Sequence, residues 1–297
     1  MTSGQRLFVV MGPTASGKSS LAEDIARELD CFLVNGDAFQ VYRGLTIGTA
    51  KPQDTSRYHL IDIKNPEDEY GVGEYVVSAS DILWQEFEAG RDCVLVGGTG
   101  FYIRALVEQY QDLSPSPPAG MRESFNSMSL EELVEQLLEK DSDCRHRVDL
   151  KNRIRVTRAL EKLLTPEQSI RFSLPPFEVH KIALVPDVES SKLMIINRTT
   201  FMLENGWIEE VSGLLDSGLT LSAPGFRAIG YRLLASNINE KLNLQPDSIE
   251  ELIDSISLET IQYAKRQRTW LRSEPRLQTF LGKNDAMSWF QSISKTS

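Results

Sequence analysis

The feature that most constrains this chain is an eight-residue glycine loop near its amino terminus. The loop fits the phosphate-binding pattern of Gly, four variable residues, then Gly-Lys-Ser/Thr. The apolar run 7–11 before it suits a buried parallel strand, and apolar residues after it recur at the spacing of one helix face. The sequence therefore predicts a P-loop between a strand and a helix, formed by Gly12, Pro13, Thr14, Ala15, Ser16, Gly17, Lys18 and Ser19.

The residue types of this loop predict an anion site. Its two glycines let backbone N–H groups approach phosphate oxygens, and the positive end of the following helix adds to the attraction. Lys18 is expected to reach terminal phosphates and Ser19 to bind Mg²⁺ through its hydroxyl. Loops of this kind are typical of nucleotide-binding and ATP-binding proteins, but the motif leaves open which phosphate-bearing molecule this one holds.

Composition excludes several classes of protein. The chain has 297 residues, 41% of them hydrophobic, and a net charge of −10, which disfavours coating of nucleic acid by bulk charge but allows a local basic groove. No window of 18 apolar residues and no secretory pattern is present, so we expect a cytoplasmic protein without a membrane partner. Cys31, Cys93 and Cys144 are scattered singly and are expected to be reduced core residues.

Asp37 follows a second apolar run, 31–34, and is predicted to lie at the carboxyl end of a strand neighbouring the P-loop. Open α/β sheets gather their ligand groups at such ends. A solvated turn residue is the alternative for an Asp in this position. The Gly- and Thr-rich stretch 41–52 then reads as a loop over the site.

A later strand, 93–96, runs into Gly97-Gly98-Thr99-Gly100. ATP-hydrolysing P-loop proteins usually end such a strand with an Asp that orients Mg²⁺, whereas Asp92 stands at the opposite end here. The loop instead offers backbone amides and the Thr99 hydroxyl to a ligand.

The Pro/Ser-rich segment 112–120 is the best candidate for a domain boundary. Helical patterns at 129–140 and 149–164 without an intervening strand predict a small helical insertion. The predicted fold is an α/β P-loop NTPase-like parallel sheet flanked by helices, with a tail from Lys283 that we expect to be peripheral. The predicted division is a first part of the core at 1–112, an insertion at 113–178 and a mainly helical second part of the core at 179–297.

The second helix of the insertion is predicted to carry a basic stripe. Its members are spaced four, four and three residues apart, which would place them on one helix face as a footprint for a phosphate backbone. A solvated helix face is the alternative. The stripe consists of Arg147, Lys151, Arg155 and Arg158.

Several separated motifs resemble the bacterial tRNA dimethylallyltransferases over almost the whole chain. Besides the P-loop, the matching segments are 37–51, His59-Leu60-Ile61-Asp62, 96–102, 153–161 and 264–272. The resemblance implies transfer of a dimethylallyl group from its diphosphate to the exocyclic amine of the adenine beside the anticodon, with Mg²⁺ as cofactor. Its implied partners are tRNA and dimethylallyl diphosphate, and we expect the protein to act as a monomer.

The resemblance also implies roles for individual residues. Asp37 orients the amine and removes its proton, Lys18 and Arg198 stabilise the departing diphosphate, and Thr99 contacts the nucleotide or the diphosphate. The target adenine must leave its stack to reach such a pocket. The residues expected to contact tRNA are Asp37, Ala38, Phe39, Gln40, Thr99, Arg122, Arg147, Lys151 and Arg155.

Three positions depart from the family pattern, and two other functions remain as alternatives. Ala38 stands where the family commonly has Ser, Ile261 where it often has Arg, and Met194 replaces an Arg found one helical turn before Arg198. A small-molecule kinase also combines a P-loop with an Asp after the second strand. A tRNA-binding GTPase-like switch is weaker, because the sequence has no Asn-Lys-x-Asp run.

Overall fold

The computed structural model describes residues 4–110, 113, 120–165, 170–239 and 246–294, without the side chains of 122, 123, 239, 246 and 247. The chain divides into two compact units. One consists of Met1–Gln109 with Ser173–Ser297, and the other is Tyr110–Phe172.

The first unit is built on a parallel sheet, to which the described residues contribute six strands in the order β3-β2-β4-β1-β5-β6. Its central strands consist of apolar residues that are buried on both faces, as expected for a parallel sheet covered by helices. The strands are β1 Arg6–Met11, β2 Phe32–Asn35, β3 Tyr58–His59, β4 Cys93–Gly97, β5 Glu178–Leu184 and β6 Leu277–Phe280.

The strand order corrects one prediction. Asp37 follows β2, which pairs with β3 and β4 and is not a neighbour of the P-loop strand. Strand β4 lies between β2 and β1, so the glycines that end β4 stand between the P-loop and Asp37. Strand β3 is only two residues long, because Leu60 and Asp62 adopt φ values of 65° and 55° that end it after His59.

Helices cover both faces of this sheet. Helices α1 and α11 share one apolar core with the sheet, in which Leu21, Ile25 and Phe290 are fully buried. The prediction of a peripheral tail from Lys283 is therefore wrong, because α11 packs its apolar side against β5 and β6. The helices of this unit are α1 Lys18–Leu29, α2 Val72–Glu88, α3 Gly100–Val107, α7 Val188–Glu204, α8 Trp207–Asp216, α9 Tyr231–Asn239, α10 Pro246–Leu271 and α11 Lys283–Ser294.

The second unit is helical in its described part and has a core of its own. It contains α4 Met121–Asn126, α5 Leu130–Lys140 and α6 Arg153–Leu164. Ser129 begins α5 with a capping box to Glu132. Leu133, Leu137, Val156 and Leu160 are among its fully buried residues.

The unit boundaries differ from those predicted from sequence. The compact unit spans 110–172, against 113–178 in the prediction. The reason at the carboxyl end is that the segment before β5 belongs to the sheet unit: the Trp84 indole donates to the Ser173 carbonyl at 2.8 Å, and the Phe177 ring lies 5.8 Å from that of Phe87.

Cys31, Cys93 and Cys144 are free and buried, as predicted. Over the part of the chain that the structure describes, no helix is long and apolar enough to cross a membrane.

Candidate active site

The P-loop connects β1 to α1 and is shaped by its glycines. A Cβ on Gly12 would lie 2.6 Å from the Leu184 carbonyl oxygen of β5 and 2.4 Å from the Ser16 hydroxyl, so the close approach requires glycine. Gly17 has a φ of 84° in the left-handed region and immediately precedes α1. The N-terminus of a twelve-residue helix thus opens at the loop, as the sequence predicts.

The loop contains one unpaired polar group and one desolvated cation. The Ser16 hydroxyl is buried and has no hydrogen-bond partner among the described residues. Desolvation lowers the pKa of Lys18 to about 8, opposed by the carboxylate of Asp37 and reinforced by Arg198. Two desolvated cations, one in the loop and one reaching it from another element, favour an anionic ligand, because the ligand relieves both their repulsion and their desolvation.

Arg198 reaches the loop from α7. Its guanidinium donates to the Thr14 hydroxyl, and burial lowers its pKa although Asp37 acts in the opposite direction. Met194, one turn earlier, lines neither of the cavities described below.

The glycines at the end of β4 are tightly packed. A Cβ on Gly97 would lie 2.3 Å from the Gly36 carbonyl oxygen, and one on Gly98 would lie 2.3 Å from the Gln267 amide nitrogen. Glycine at these positions therefore lets the end of β4 contact Gly36 and Gln267 closely, at the place where ATP-hydrolysing proteins have an Asp. Asp92, at the other end of β4, pairs with the guanidinium of Arg6 at 2.7 Å.

Asp37 is held by a local turn. Its backbone N–H donates to the side-chain oxygen of Asn35 at 3.0 Å, and its own Oδ1 accepts from the Phe39 N–H at 2.9 Å. The neighbouring Ala38 N–H donates to the Thr99 hydroxyl at 3.1 Å. The structure thus brings together two predicted site residues, Asp37 and Thr99, from the ends of β2 and β4.

One face of α10 contacts the loop after β4 residue by residue. Tyr263 interacts with Thr99, Gln267 donates to the Gly98 carbonyl at 2.8 Å, and Trp270 packs on Gly100. Their spacing of four and three residues places the three side chains on one face of the helix. Burial raises the pKa of Tyr263 to about 12, with Asp37 contributing in the same direction. We refer to Tyr263, Gln267 and Trp270 as the α10 face.

The predicted loop over the site is anchored by α8 and α9. The Glu210 carboxylate accepts from the backbone N–H groups of Thr46 and Ile47 at 2.9 and 2.8 Å, and from the Tyr231 hydroxyl at 2.6 Å. Gln40 donates to the Thr49 and Ala50 carbonyls at 3.0 and 3.2 Å. These bonds position the loop segment that lines both cavities.

Two adjoining cavities lie in the sheet unit. The smaller holds about 60 Å³ and is polar, with Lys18, Ser19 and Gln40 in its wall. The larger holds about 280 Å³. Both cavities are lined by Thr14, Asp37, Thr49, Ala50 and Arg198. The larger cavity also includes Phe39, Met202, Trp207, Ala228, Ile229, Ile256 and Tyr263.

The basic stripe of the helical unit is not a single helix face. Helix α6 begins only at Arg153, after Arg147 and Lys151, so the spacing argument holds for Arg155 and Arg158 alone. Carboxylates also accompany it, since Arg147 pairs with Asp141, Arg155 with Asp149 at 3.8 Å and Arg158 with Glu161 at 2.8 Å. The side chains of Arg147 and Arg155 are nevertheless 65% and 66% exposed. The side chain of Arg122 lies outside the described part of the structure.

Sequence reasoning missed several contributors to the site. Gln267 lies in the family-like segment 264–272 but was assigned no role, and its neighbour Arg268 donates to the Pro186 carbonyl at 2.6 Å, just before α7 begins. Trp207 and Glu210 lie outside every motif that the sequence analysis identified. The α10 spacing of 263, 267 and 270 is the one local signal that could have indicated a shared face.

Comparison with known proteins finds similarity over nearly the whole chain. The profile of the IPP transferase family matches residues 40–274. A tRNA dimethylallyltransferase of Acaryochloris marina is 35% identical, over 99% of this chain and 94% of that protein. One from Bacillus mycoides is 34% identical, over 91% of this chain and 88% of its own length.

A solved structure with a similar fold is the full-length tRNA isopentenylpyrophosphate transferase of Bacillus halodurans. It has a TM-score of 0.71 and 29% identity, covering 98% of this chain and 96% of its own. The match extends over the P-loop sheet and the helical segments alike. With a family profile covering most of its length and relatives above 30% identity over nearly all of it, the chain belongs to the IPP transferase family.

Proposed function

We propose that this protein transfers a dimethylallyl group from dimethylallyl diphosphate to the exocyclic amine of the adenine 3′ to the anticodon in tRNA, releasing diphosphate. The observation that carries the proposal is the pair of adjoining cavities. A polar cavity with Lys18 and Ser19 suits a diphosphate, and it meets a larger, partly apolar cavity at Asp37 and Arg198. The curated relatives of similar length bear the name of this activity.

The reaction breaks the bond between C1 of the donor and its diphosphate oxygen, and the electron pair leaves with the diphosphate. An allylic donor ionises through a loose, cation-like transition state, so the main task is to stabilise the departing anion. The P-loop N–H groups, Lys18 and Arg198 are the groups that do this. Desolvation lowers the pKa of Lys18 in the free protein, Arg198 adds a smaller effect in the same direction, and the ligand's negative charge relieves both.

The new bond forms between C1 and the adenine amine nitrogen, which then loses a proton. An exocyclic amine is a weak nucleophile because its lone pair is delocalised into the ring. In this proposal the Asp37 carboxylate orients the amine and accepts that proton. Thr99 supports it by holding the Ala38 N–H, which keeps the turn carrying Asp37 against the end of β4.

We also propose that Mg²⁺ takes part, held by the Ser19 hydroxyl together with diphosphate oxygens. The loop fits such a group, since Gly12 admits no Cβ and the buried Ser16 hydroxyl lacks a partner in the described protein. Among the described residues, no cluster of three His, Cys, Asp or Glu side chains could hold a metal without the ligand's oxygens. When bound, Mg²⁺ would supply additional neutralisation of the leaving diphosphate.

A base inside a folded anticodon loop must be extruded to reach Asp37. Phe39 lines the larger cavity and Gln40 the smaller one, so both stand beside Asp37 as tRNA-contact candidates. In the helical unit we propose that Arg122, Arg147, Lys151 and Arg155 contact the phosphate backbone.

Small-molecule kinase chemistry is not favoured. The end of β4 carries glycines where an Asp would orient a metal, and those glycines accommodate Gln267 and Gly36. The apolar part of the larger cavity, with Met202, Ile229 and Ile256, suits the alkyl group of an allylic donor.

The proposal is tested by incubating the full-length protein with unmodified tRNA and radiolabelled dimethylallyl diphosphate, and in parallel with ATP and candidate alcohols. Label is expected in tRNA, on the adenine 3′ to the anticodon. Lys18→Ala should reduce the single-turnover rate by about a hundredfold or more, near 3 kcal/mol, because it removes a charge from the leaving diphosphate. Phosphorylation of an alcohol without label in tRNA would overturn the proposal.

A further inference from the structure

We propose that Trp207 closes the donor end of the larger cavity and thereby restricts the transferred group to five carbons. This inference rests on the proposed function, and it concerns which allylic diphosphates the site accepts. Trp207 acts as a specificity-determining residue, and replacing it with a smaller side chain should admit a ten-carbon donor.

The larger cavity has both charged and apolar lining residues: Arg198, Arg227, Glu259 and Arg266 are charged, and Met202, Trp207, Ile229 and Ile256 are apolar. Arg198 and Met202 both line it and are four residues apart on α7, so they lie one turn apart on the same helix face. Trp207, the first residue of α8, lines the same cavity. A donor whose diphosphate lies at Arg198 and Lys18 therefore extends its alkyl group along α7 toward Trp207.

The indole of Trp207 is tightly enclosed. The residue is 2% exposed, and its ring occupies space that two glycines leave open. A Cβ on Gly48 would lie 2.2 Å from the indole nitrogen, and one on Gly230 would lie 2.4 Å from the far edge of the ring. Tyr231 contacts the ring edge-on, with centroids 5.6 Å apart. An indole held on these sides is a rigid wall that cannot move aside for a longer substrate.

Hydrogen bonding does not explain this tryptophan. Its N–H is buried and has no partner among the described residues, although a buried indole N–H usually finds one. Leaving a buried donor unpaired is unfavourable. What the residue provides at this position is therefore volume and shape.

The size of the cavity agrees with a five-carbon group. A cavity of about 150 Å³ holds one benzene ring. The larger cavity holds about 280 Å³ and, in the proposed reaction, also receives the reacting edge of the adenine beside Asp37. A dimethylallyl group and that edge fill it, so a second isoprenoid unit needs the space that Trp207 occupies.

The test compares kcat/KM for dimethylallyl diphosphate and for ten-carbon geranyl diphosphate with the same unmodified tRNA. Wild type should strongly prefer the shorter donor. In Trp207→Leu, the ratio of geranyl to dimethylallyl kcat/KM should rise by at least about tenfold, since a few carbons gained or lost in an apolar pocket change discrimination by that much or more.

Trp289→Leu is the matched control, because Trp289 packs against Phe280 of β6 and does not line the cavity. It should leave the donor ratio unchanged. Trp207→Phe is a milder second variant that decides the matter if Trp207→Leu does not fold, and thermal unfolding reports folding for each protein.

Two results would overturn the inference: a donor ratio unchanged in a folded Trp207 variant, or a wild type that uses both donors equally well. Failure of wild type to prenylate tRNA with either donor would instead count against the proposed function, so the two failures are distinguishable.

Discussion

The side-chain oxygen of Gln267 accepts a hydrogen bond from the backbone N–H of Thr14 at 2.8 Å. The amide nitrogen of the same side chain donates to the Gly98 carbonyl at 2.8 Å. One buried amide thus joins the loop proposed to hold the diphosphate to the loop that carries Thr99. Gln267 is a positioning residue in this arrangement, because it fixes the loop proposed to bind the prenyl donor relative to the loop beside the proposed adenine site.

Gln267→Glu should lower kcat/KM by at least about tenfold, because a carboxylate can still accept from Thr14 but cannot donate to Gly98 and adds negative charge beside the diphosphate. The loss should fall mainly on kcat, with tRNA affinity nearly unchanged. Steady-state kinetics check this, with exposed Gln85→Glu as control. A normal kcat in Gln267→Glu would remove Gln267 from the site.

Lys18 should make the free protein less stable in a pH-dependent way. Its pKa in the folded state, about 8, lies below the ordinary value of 10.5, so the unfolded chain binds more protons between these pH values. The destabilisation is fully present below about pH 8 and is relieved as pH rises toward 10.5. Lys18→Met should therefore raise the free energy of unfolding at neutral pH, by an amount that shrinks over this range.

Urea unfolding over that pH range measures the Lys18 effect. Exposed Lys265→Met is the control and should show no such trend. A Lys18→Met variant that is no more stable than wild type at neutral pH would show that the loop does not penalise the charge.

Asp37→Asn should separate chemistry from binding. The Asn oxygen can still accept from the Phe39 N–H, so the turn is preserved while the base is lost. The single-turnover rate should fall about a hundred- to ten-thousandfold, the usual range for a general base, with tRNA affinity within a few-fold of wild type. A defect confined to tRNA binding would instead make Asp37 a residue that only positions the adenine.

Arg198 should contribute more to diphosphate binding than Arg227. The Arg198 guanidinium donates to the Thr14 hydroxyl and lines both cavities. Both terminal nitrogens of Arg227 instead donate to the Glu69 carboxylate, at 3.0 and 2.8 Å. Arg198→Gln should lose at least about tenfold in kcat/KM, near 1.4 kcal/mol. Met194→Arg should leave activity unchanged or raise it, since Met offers no donor to a phosphate. Full activity in Arg198→Gln with a collapse in Arg227→Gln would reverse this assignment.

The exposed basic residues of the helical unit give a prediction about salt. Changing Lys151 and Arg155 to Gln should weaken tRNA binding and flatten the slope of log affinity against log salt by about 1 to 2. Filter binding over a salt series measures the slope, with Arg27→Gln and Arg57→Gln in the sheet unit as control. An unchanged slope would assign these residues to a solvated surface.

Local sequence determined the elements that carry the chemistry. The P-loop and the apolar strands before and after it form where the pattern predicts them, because each depends on neighbouring residues: glycine where the backbone is crowded or left-handed, and continuous apolar runs in buried strands. The α10 face is encoded in the same local way, by residues three and four apart.

Tertiary structure alone decided how these elements meet. The order of the strands placed β4 between the P-loop and Asp37, and so made its terminal glycines part of the site. The apolar side of α11 became core because β5 and β6 lay beside it. Gln267 reaches Thr14 across 253 residues, and Trp207 meets Gly48 and Gly230 from separate segments. Contacts of this kind depend on packing between distant parts of the chain, which leaves no periodicity or spacing in the sequence.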